Sequence, residues 1–195
     1  MTSRLRQFTL AASAVLAAVA LGACGDSHTR VTTGTYAGES GANAPYLDVG
    51  PLIYEVQLSR ELNPSDSEDS NYLQGLAPAG RQLAPGQEWF AVFVQVYNNT
   101  SQELPVAAAP TISDTQGNTY SPTATEQTNE FAYRGGAVPA KSRLPLPNSI
   151  AAAGPTQGAL LLYKIQVSSL DNRPLEIRIV DPTNASRTAS AELDV

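Results

Sequence analysis

The sequence predicts an all-β protein, an immunoglobulin-like antiparallel β-sandwich of about seven strands. A run at Glu88–Tyr97 is apolar at both alternate sets of positions, which predicts a strand covered on both faces. Other short strand-like runs are separated by turn residues, and 14 Gly and 14 Pro in the chain favour many turns over a helical bundle. Cys24 is the only cysteine, so there is no Cys–Trp–Cys framework and the prediction concerns the architecture alone.

The first predicted strand is Leu52–Leu62, which alternates between apolar and polar positions. Its predicted buried residues are Leu52, Tyr54, Val56 and Leu58, and its predicted solvent-facing residues are Glu55, Gln57 and Ser59. Leu104–Ala108 and Thr119–Ser121 are weaker candidates on either side of a hairpin turn at 114–118. Gly158–Val167 and Leu175–Val180 complete the set and are joined by a turn at 171–174.

The longest segment without a clear strand pattern is Thr123–Thr156, which contains several prolines. It is predicted to be a loop that crosses the domain and packs Phe131 and Tyr133 against it. The residues from Pro182 onward are polar, which predicts a frayed end. The β-sandwich is therefore predicted at 46–182 and a polar C-terminal tail at 183–195.

The N-terminal segment has the pattern of an export signal. Arg4 and Arg6 precede an apolar run at Leu10–Leu21, which is too short to span a hydrocarbon core about 30 Å thick. The run ends in the sequence Leu21-Gly22-Ala23-Cys24, which resembles the lipobox of bacterial lipoproteins. The resemblance implies cleavage before Cys24 by a signal peptidase and acylation of Cys24, for example with palmitate, and several acyl chains anchor a protein stably.

Gly25 to Ala44 is rich in Gly, Ser, Thr and Asn, and it holds too little apolar surface to fold alone. A Gly-rich coil of this length has a root-mean-square reach of about 25 Å. An ordinary secretory signal with a chance cysteine is the alternative. The lack of any partner for a disulfide with Cys24 argues against it. The predicted divisions before the sandwich are therefore a lipoprotein signal peptide at 1–23 and a lipidated cysteine with a flexible tether at 24–45.

Three segments resemble the telokin-like, immunoglobulin-like extracellular domains of unknown function found on bacterial lipoproteins. They are Trp89–Asn99, Ile112–Tyr120 and Gly158–Ile165, about half of the mature chain. That family shares a fold with a mycobacterial immunoprotective secreted antigen. The resemblance implies an interaction or accessory module and assigns no functional residues.

The residue inventory limits the chemistry of the domain. The only histidine, His28, lies in the predicted tether, and the only cysteine is predicted to be lipidated. The folded domain therefore lacks the residues for a Ser-His-Asp or Cys-His site and for a zinc or copper site with nitrogen and sulfur ligands. Paired carboxylates such as Glu126 and Glu130 remain a hydrolase alternative, although they lie in a predicted loop. The chain is accordingly predicted not to be an enzyme.

The acidic segment 63–75 is the one candidate calcium site in the sequence. Asp66, Glu68, Asp69 and Asn71 place oxygen ligands of the kind that calcium prefers on one short loop. The segment does not fit an EF-hand, because Asn71 and Ala77 occupy the glycine position and the bidentate glutamate position. The alternative is a short helix capped by Asn63, with Pro64 in its first position, Asp66 in a capping box and Gly75 at its end.

Trp89, Phe93 and Tyr97 share one side of the central strand, and they are predicted to be core residues rather than a ligand-stacking row.

A net charge of −6 argues against a nucleic-acid partner. The sequence predicts a lipid-anchored protein on the extracytoplasmic side of the cell membrane or at the cell surface. Its partners would be the membrane, through the lipid, and an envelope protein. The alternative is an extracellular binding module for calcium or a small ligand.

Overall fold

The apolar run around Trp89 forms β4 (Gln87–Asn98), the central strand of the computed structural model, which describes residues 31–35 and 46–193. β4 lies between β3 (Leu52–Leu62) and β10 (Ala159–Gln166) and is antiparallel to both. All side chains from Trp89 to Val96 are buried, so the prediction of a strand covered on both faces is confirmed.

The other elements surround these three strands. They are β1 (Thr33–Thr35), β2 (Tyr46–Val49), α1 (Ser67–Tyr72), β5 (Leu104–Pro105), β6 (Thr111–Ser113), β7 (Thr119–Tyr120), β8 (Ala137–Val138), β9 (Ser142–Leu144), α2 (Ile150–Ala153), a 3-10 helix (Val167–Leu170), β11 (Leu175–Val180) and β12 (Thr188–Leu193). One sheet has the strand order β1-β12-β11-β6-β7. The second has the order β10-β4-β3-β2, with β9 also paired to β4, and β5 pairs with β8.

The molecule is therefore the predicted β-sandwich. The described residues contain twelve strands rather than about seven, because seven short segments of two to four residues also pair. The core between the two sheets is apolar: Phe90, Val92 and Val94 of β4 face Ile177 and Ile179 of β11 within one buried cluster. A second cluster, which includes Trp89 and Phe93, lies on the outer face of the β4 sheet beneath α1.

The predicted faces of β3 are correct only for its first half. The register with β4 shifts between Val56 and Leu58, so this β-bulge turns Leu58 to the outer face and Ser59 inward. Glu55 was predicted to face solvent, yet it is 3 % exposed. The predicted faces of Leu58 and Ser59 are wrong because an alternation pattern cannot reveal an inserted residue. The predicted exposure of Glu55 is wrong because the pattern cannot reveal a buried polar cluster on the outer face of the sheet.

The predicted frayed C-terminal tail is also wrong for residues 188–193. These residues form β12, which pairs antiparallel with β11 and buries Ala189, Ala191 and Leu193. The predicted flexible tether is wrong for residues 33–35, because they form β1 and pair in parallel with β12. Backbone pairing on the open edge of β12 orders a Thr-Gly-Thr segment that has no apolar side chain to bury.

The segment Thr123–Thr156 crosses the domain as predicted, and it contains β8, β9 and α2. Phe131 packs on the outer cluster and Tyr133 on the inter-sheet core, as the sequence predicts. The Leu160 amide donates to the Phe131 carbonyl at 2.8 Å, and the Tyr133 amide donates to the Leu160 carbonyl at 2.7 Å. This segment is therefore held along the edge of β10.

Candidate functional site

The acidic segment begins with a turn and continues as a helix. The side chain of Asn63 accepts from the Ser65 amide at 3.0 Å, and the Asn63 carbonyl accepts from the Asp66 amide at 2.9 Å. Asp66 is the N-cap of α1 and its Oδ1 accepts from the amides of Glu68 and Asp69. The predicted cap at Asn63 is therefore wrong, because this asparagine closes its own turn and the helix begins three residues later.

Asp69 is the most buried acid of this segment, at 5 % exposure. Its Oδ1 pairs with the guanidinium of Arg60, and its Oδ2 accepts from the Asn63 amide at 2.7 Å. Burial acts to raise the pKa of Asp69, but the hydrogen bonds from Arg60 and Asn63 outweigh it and hold the pKa below its ordinary value. Both carboxylate oxygens of Asp69 thus already have protein partners.

The other two calcium candidates also bond within the protein. Glu68 Oε1 accepts from the Tyr72 hydroxyl at 3.0 Å, and Asn71 Oδ1 accepts from Gln74 Nε2 at 2.7 Å. In the described part of the chain, no group of three or more His, Cys, Asp and Glu side chains could hold a metal ion. The arrangement favours the helix interpretation of this segment over the calcium interpretation.

Aromatic rings hold α1 to the sheet. The Tyr72 ring meets Phe93 and Phe131 edge to face, with centroids 5.0 and 4.9 Å apart. Asn129 Nδ2 donates to the Tyr72 and Gln74 carbonyls at 2.9 and 3.0 Å, which satisfies the end of the helix. Phe131 and Asn129 thus join the Thr123–Thr156 segment to α1.

A groove of about 430 Å³ lies beside α1 and has Trp89 in its lining. Leu73, Leu76 and Leu83 also line it, together with Arg81. Lys164 Nζ stands 5.1 Å from the centre of the Trp89 ring and donates to the Gln82 carbonyl at 2.6 Å. Trp89 is a core residue as predicted, and it also forms part of the wall of an open, partly apolar groove whose lining includes the cationic Arg81.

Phe93 is a fully buried core residue, whereas Tyr97 belongs to a polar cluster on the same sheet face. The Tyr97 hydroxyl lies 2.8 Å from both Glu55 Oε2 and Gln95 Oε1. Burial raises the pKa of the Glu55 carboxyl, although the hydrogen bond from Tyr97 acts against that rise. Burial, reinforced by Glu55, also raises the pKa of Tyr97. The sequence carries no signal for this cluster, because Glu55 and Gln95 each fit a solvent-facing position while Tyr97, predicted to be a core residue, is only partly buried.

The opposite end of the sandwich holds a cavity of about 640 Å³ between the β2–β3 and β11–β12 turns. Gly50, Pro51 and Arg187 line it. Asp181 lies behind it, 3 % exposed, and its Oδ1 accepts from the amide and the hydroxyl of Thr183 at 2.8 and 2.6 Å. Arg187 lies 3.6 Å from Asp181 Oδ2. Burial acts to raise the pKa of Asp181, but these bonds lower it overall.

The predicted anchor residues Leu21, Gly22, Ala23 and Cys24 lie outside the described residues, as does His28. Lipidation at Cys24 stays a prediction. No helix in the described ranges is both long and apolar enough to cross a bilayer. Glu126 and Glu130, the carboxylates considered for hydrolysis, are both exposed.

No protein-family model matches the chain, and no curated protein has a significantly similar sequence. Three solved structures resemble the fold. The ycdA protein of Bacillus subtilis, a candidate lipoprotein, has a TM-score of 0.46 and 11 % identity over 77 % of this chain, which spans only 38 % of that protein. The yjhA protein of Bacillus subtilis has a TM-score of 0.48 and 10 % identity, with 76 % of this chain and 96 % of that one covered. A β-sandwich protein of Clostridium difficile has a TM-score of 0.44 and 9 % identity, with 87 % and 99 % covered.

Proposed function

We propose that this protein is a lipid-anchored surface lipoprotein whose β-sandwich is a non-enzymatic interaction or accessory module. The observation that carries the proposal is the Leu21-Gly22-Ala23-Cys24 motif at the end of a short apolar run. The resemblance to telokin-like lipoprotein domains supports it, and such a domain would act by contact with another envelope protein.

The described domain is consistent with a contact module. Its long strands bury their side chains between two sheets or under α1, and the remaining surface is divided among turns, a groove and a cavity. A single anchored sandwich of this kind presents backbone turns and side chains at defined positions, which suits recognition of a protein partner.

The anchor is tested by replacing the cysteine. The Cys24→Ser variant is expected to incorporate no labelled palmitate, since a serine hydroxyl cannot form the thioether to the diacylglyceryl group. Ser27→Ala is the matched control, because it changes a neighbouring residue outside the motif and is expected to leave the labelling unchanged. Equal labelling of Cys24→Ser and the unaltered chain would contradict the proposal.

The second candidate function is an extracellular binding module for a small ligand or calcium. The groove beside Trp89 favours a small ligand, because its lining combines an indole ring and leucine side chains with the cationic Arg81. Calcium is the weaker form of this candidate, since Asp69 is already paired with Arg60.

Thermal melts of the purified protein separate these forms, because a ligand that binds only the folded state raises the midpoint. The capped-helix interpretation predicts identical midpoints in millimolar calcium, in magnesium and in chelator. A rise specific to calcium that Asp66→Asn and Glu68→Gln abolish would instead support the calcium site. These two substitutions leave the Asp69–Arg60 pair intact.

A further inference from the structure

We propose that the anchored sandwich stands on the membrane with a defined end toward the lipid. The end that carries the β2–β3 turn and the β11–β12 turn, called here the near end, faces the lipid surface. The end that carries α1, called here the far end, points away from it. This inference rests on the proposed lipid anchor at Cys24.

The chain joins the sandwich soon after Cys24. Val31 packs against the inter-sheet core, its carbonyl accepts from the Asp48 amide at 2.7 Å, and it pairs with Leu47. Seven Cα–Cα steps separate Cys24 from Val31. A fully extended chain of that length spans at most about 25 Å. Val31 is therefore held within about 25 Å of a lipidated Cys24, whereas a chain fully extended to Ala44 could span about 70 Å.

The point of entry lies at the near end. Thr32 lines the same cavity as Gly50 of the β2–β3 turn and Arg187 of the β11–β12 turn. The Ser190 amide donates to the Thr32 carbonyl at 2.9 Å, which fixes this segment beside the start of β12. The linker from the membrane therefore arrives next to these two turns.

The far end lies a full strand length away. β3 begins at Leu52 beside the near end and runs 11 residues to Leu62, directly before the acidic segment and α1. Val31 pairs with Leu47, which lies opposite Tyr54 of β3. At about 3.3 Å per residue, the eight steps from Tyr54 to Leu62 span roughly 26 Å. If the sandwich were inverted with the Leu62 end on the lipid, the linker would have to be fully extended, whereas a flexible chain of seven residues has a root-mean-square reach of about 15 Å.

In this orientation the groove beside Trp89, next to α1, remains open to partners outside the membrane.

Energy transfer from single labels to an acceptor-labelled lipid tests this orientation. Cys24 is the only cysteine and acylation would consume its thiol, so one introduced cysteine can be labelled selectively. Ala185→Cys places a donor dye on the β11–β12 turn, and Ser65→Cys places it beside α1; both positions are exposed. The full lipidated chain is reconstituted in phosphatidylcholine vesicles that contain the acceptor lipid.

The near-end orientation predicts clearly more efficient transfer from position 185 than from position 65. Equal transfer from the two positions, or more efficient transfer from position 65, would overturn it. Inserting twenty Gly and Ser residues after Gly25 lengthens the linker beyond the strand length and should reduce the difference. An undiminished difference in that variant would overturn the argument from linker length.

Failure of the anchor itself has a different signature. A chain that does not float with the vesicles and shows no transfer from either position contradicts both the lipid anchor and the orientation. A chain that floats with the vesicles yet gives equal transfer contradicts the orientation alone.

Discussion

At the scale of single residues, Gly50 combines two constraints that a side chain would violate. Its φ is 62°, and a Cβ there would lie 2.3 Å from the buried Oδ2 of Asp181. Gly50→Ala should therefore cost about 2–4 kcal/mol of unfolding free energy, from left-handed backbone strain and from displacement of Asp181. Urea denaturation measures the loss.

Gly117 provides the matched control for that substitution. Its φ is 85°, but a Cβ there would have no atom within 4 Å. Gly117→Ala should cost only about 1–2 kcal/mol, the strain alone. Equal losses at Gly50 and Gly117 would contradict the packing argument at the near end.

Asp114 should make the stability of the fold depend on acidic pH. Its carboxylate accepts from the amides of Gln116 and Asn118, from Asn118 Nδ2 and from the Ser169 hydroxyl, at 2.7–2.9 Å. Burial acts to raise its pKa, but these four hydrogen bonds outweigh it and lower the pKa from 3.8 to about 2. A depressed pKa in the folded state stabilises the protein above pH 3.8, and this stabilisation is lost as the pH falls through about 2.

Asp114→Asn should therefore lower the unfolding free energy by about 2 kcal/mol at pH 7, the value of hydrogen bonds to a charged group. The difference from the unaltered protein should shrink as the pH falls from 4 to 2. Denaturant titrations at a series of pH values measure it. Asp171→Asn, at an exposed position, should leave stability nearly unchanged. A difference that is constant down to pH 2 would contradict the role of the Asp114 carboxylate.

At the scale of elements, the sequence identifies strands by apolar content and misses strands that are ordered by their neighbours. The prediction of Glu88–Tyr97 differs from β4 by one residue at each end. β12 alternates buried and partly exposed residues as strictly as any strand here, but its buried residues include two alanines, which give little hydrophobic signal. β1 has the sequence Thr-Gly-Thr, which gives no hydrophobic signal at all, and it owes its order to pairing with β12.

The C-terminal strand is therefore predicted to be essential for stability. Ala191 is fully buried between the sheets, so Ala191→Asp would bury an unpaired carboxylate and should cost more than about 3 kcal/mol. Ser190→Asp, on the opposite face of the same strand, should cost much less. Thermal denaturation of both variants measures the contrast, and similar melting temperatures would contradict the burial of β12.

At the scale of the whole molecule, the fold class and the long central strands could be predicted from periodicity and turn residues alone. The candidate site could not, because it depends on tertiary placement. Arg60 reaches Asp69 only because β3 leads directly into α1, and Glu55 meets Tyr97 only because β3 and β4 are neighbours. No local pattern marks either pair, and the bulge in β3 further changes which side chains face outward.

Lipidation of Cys24 underlies both the proposed function and the proposed orientation on the membrane, and the mass of the mature N-terminus decides whether it occurs. Mass spectrometry of the protein from its native membrane should show a chain that begins at Cys24 and carries the added mass of a diacylglyceryl group, with or without a further N-acyl chain. A chain that begins at any other residue, or a Cys24 whose free thiol reacts with iodoacetamide, would contradict the account.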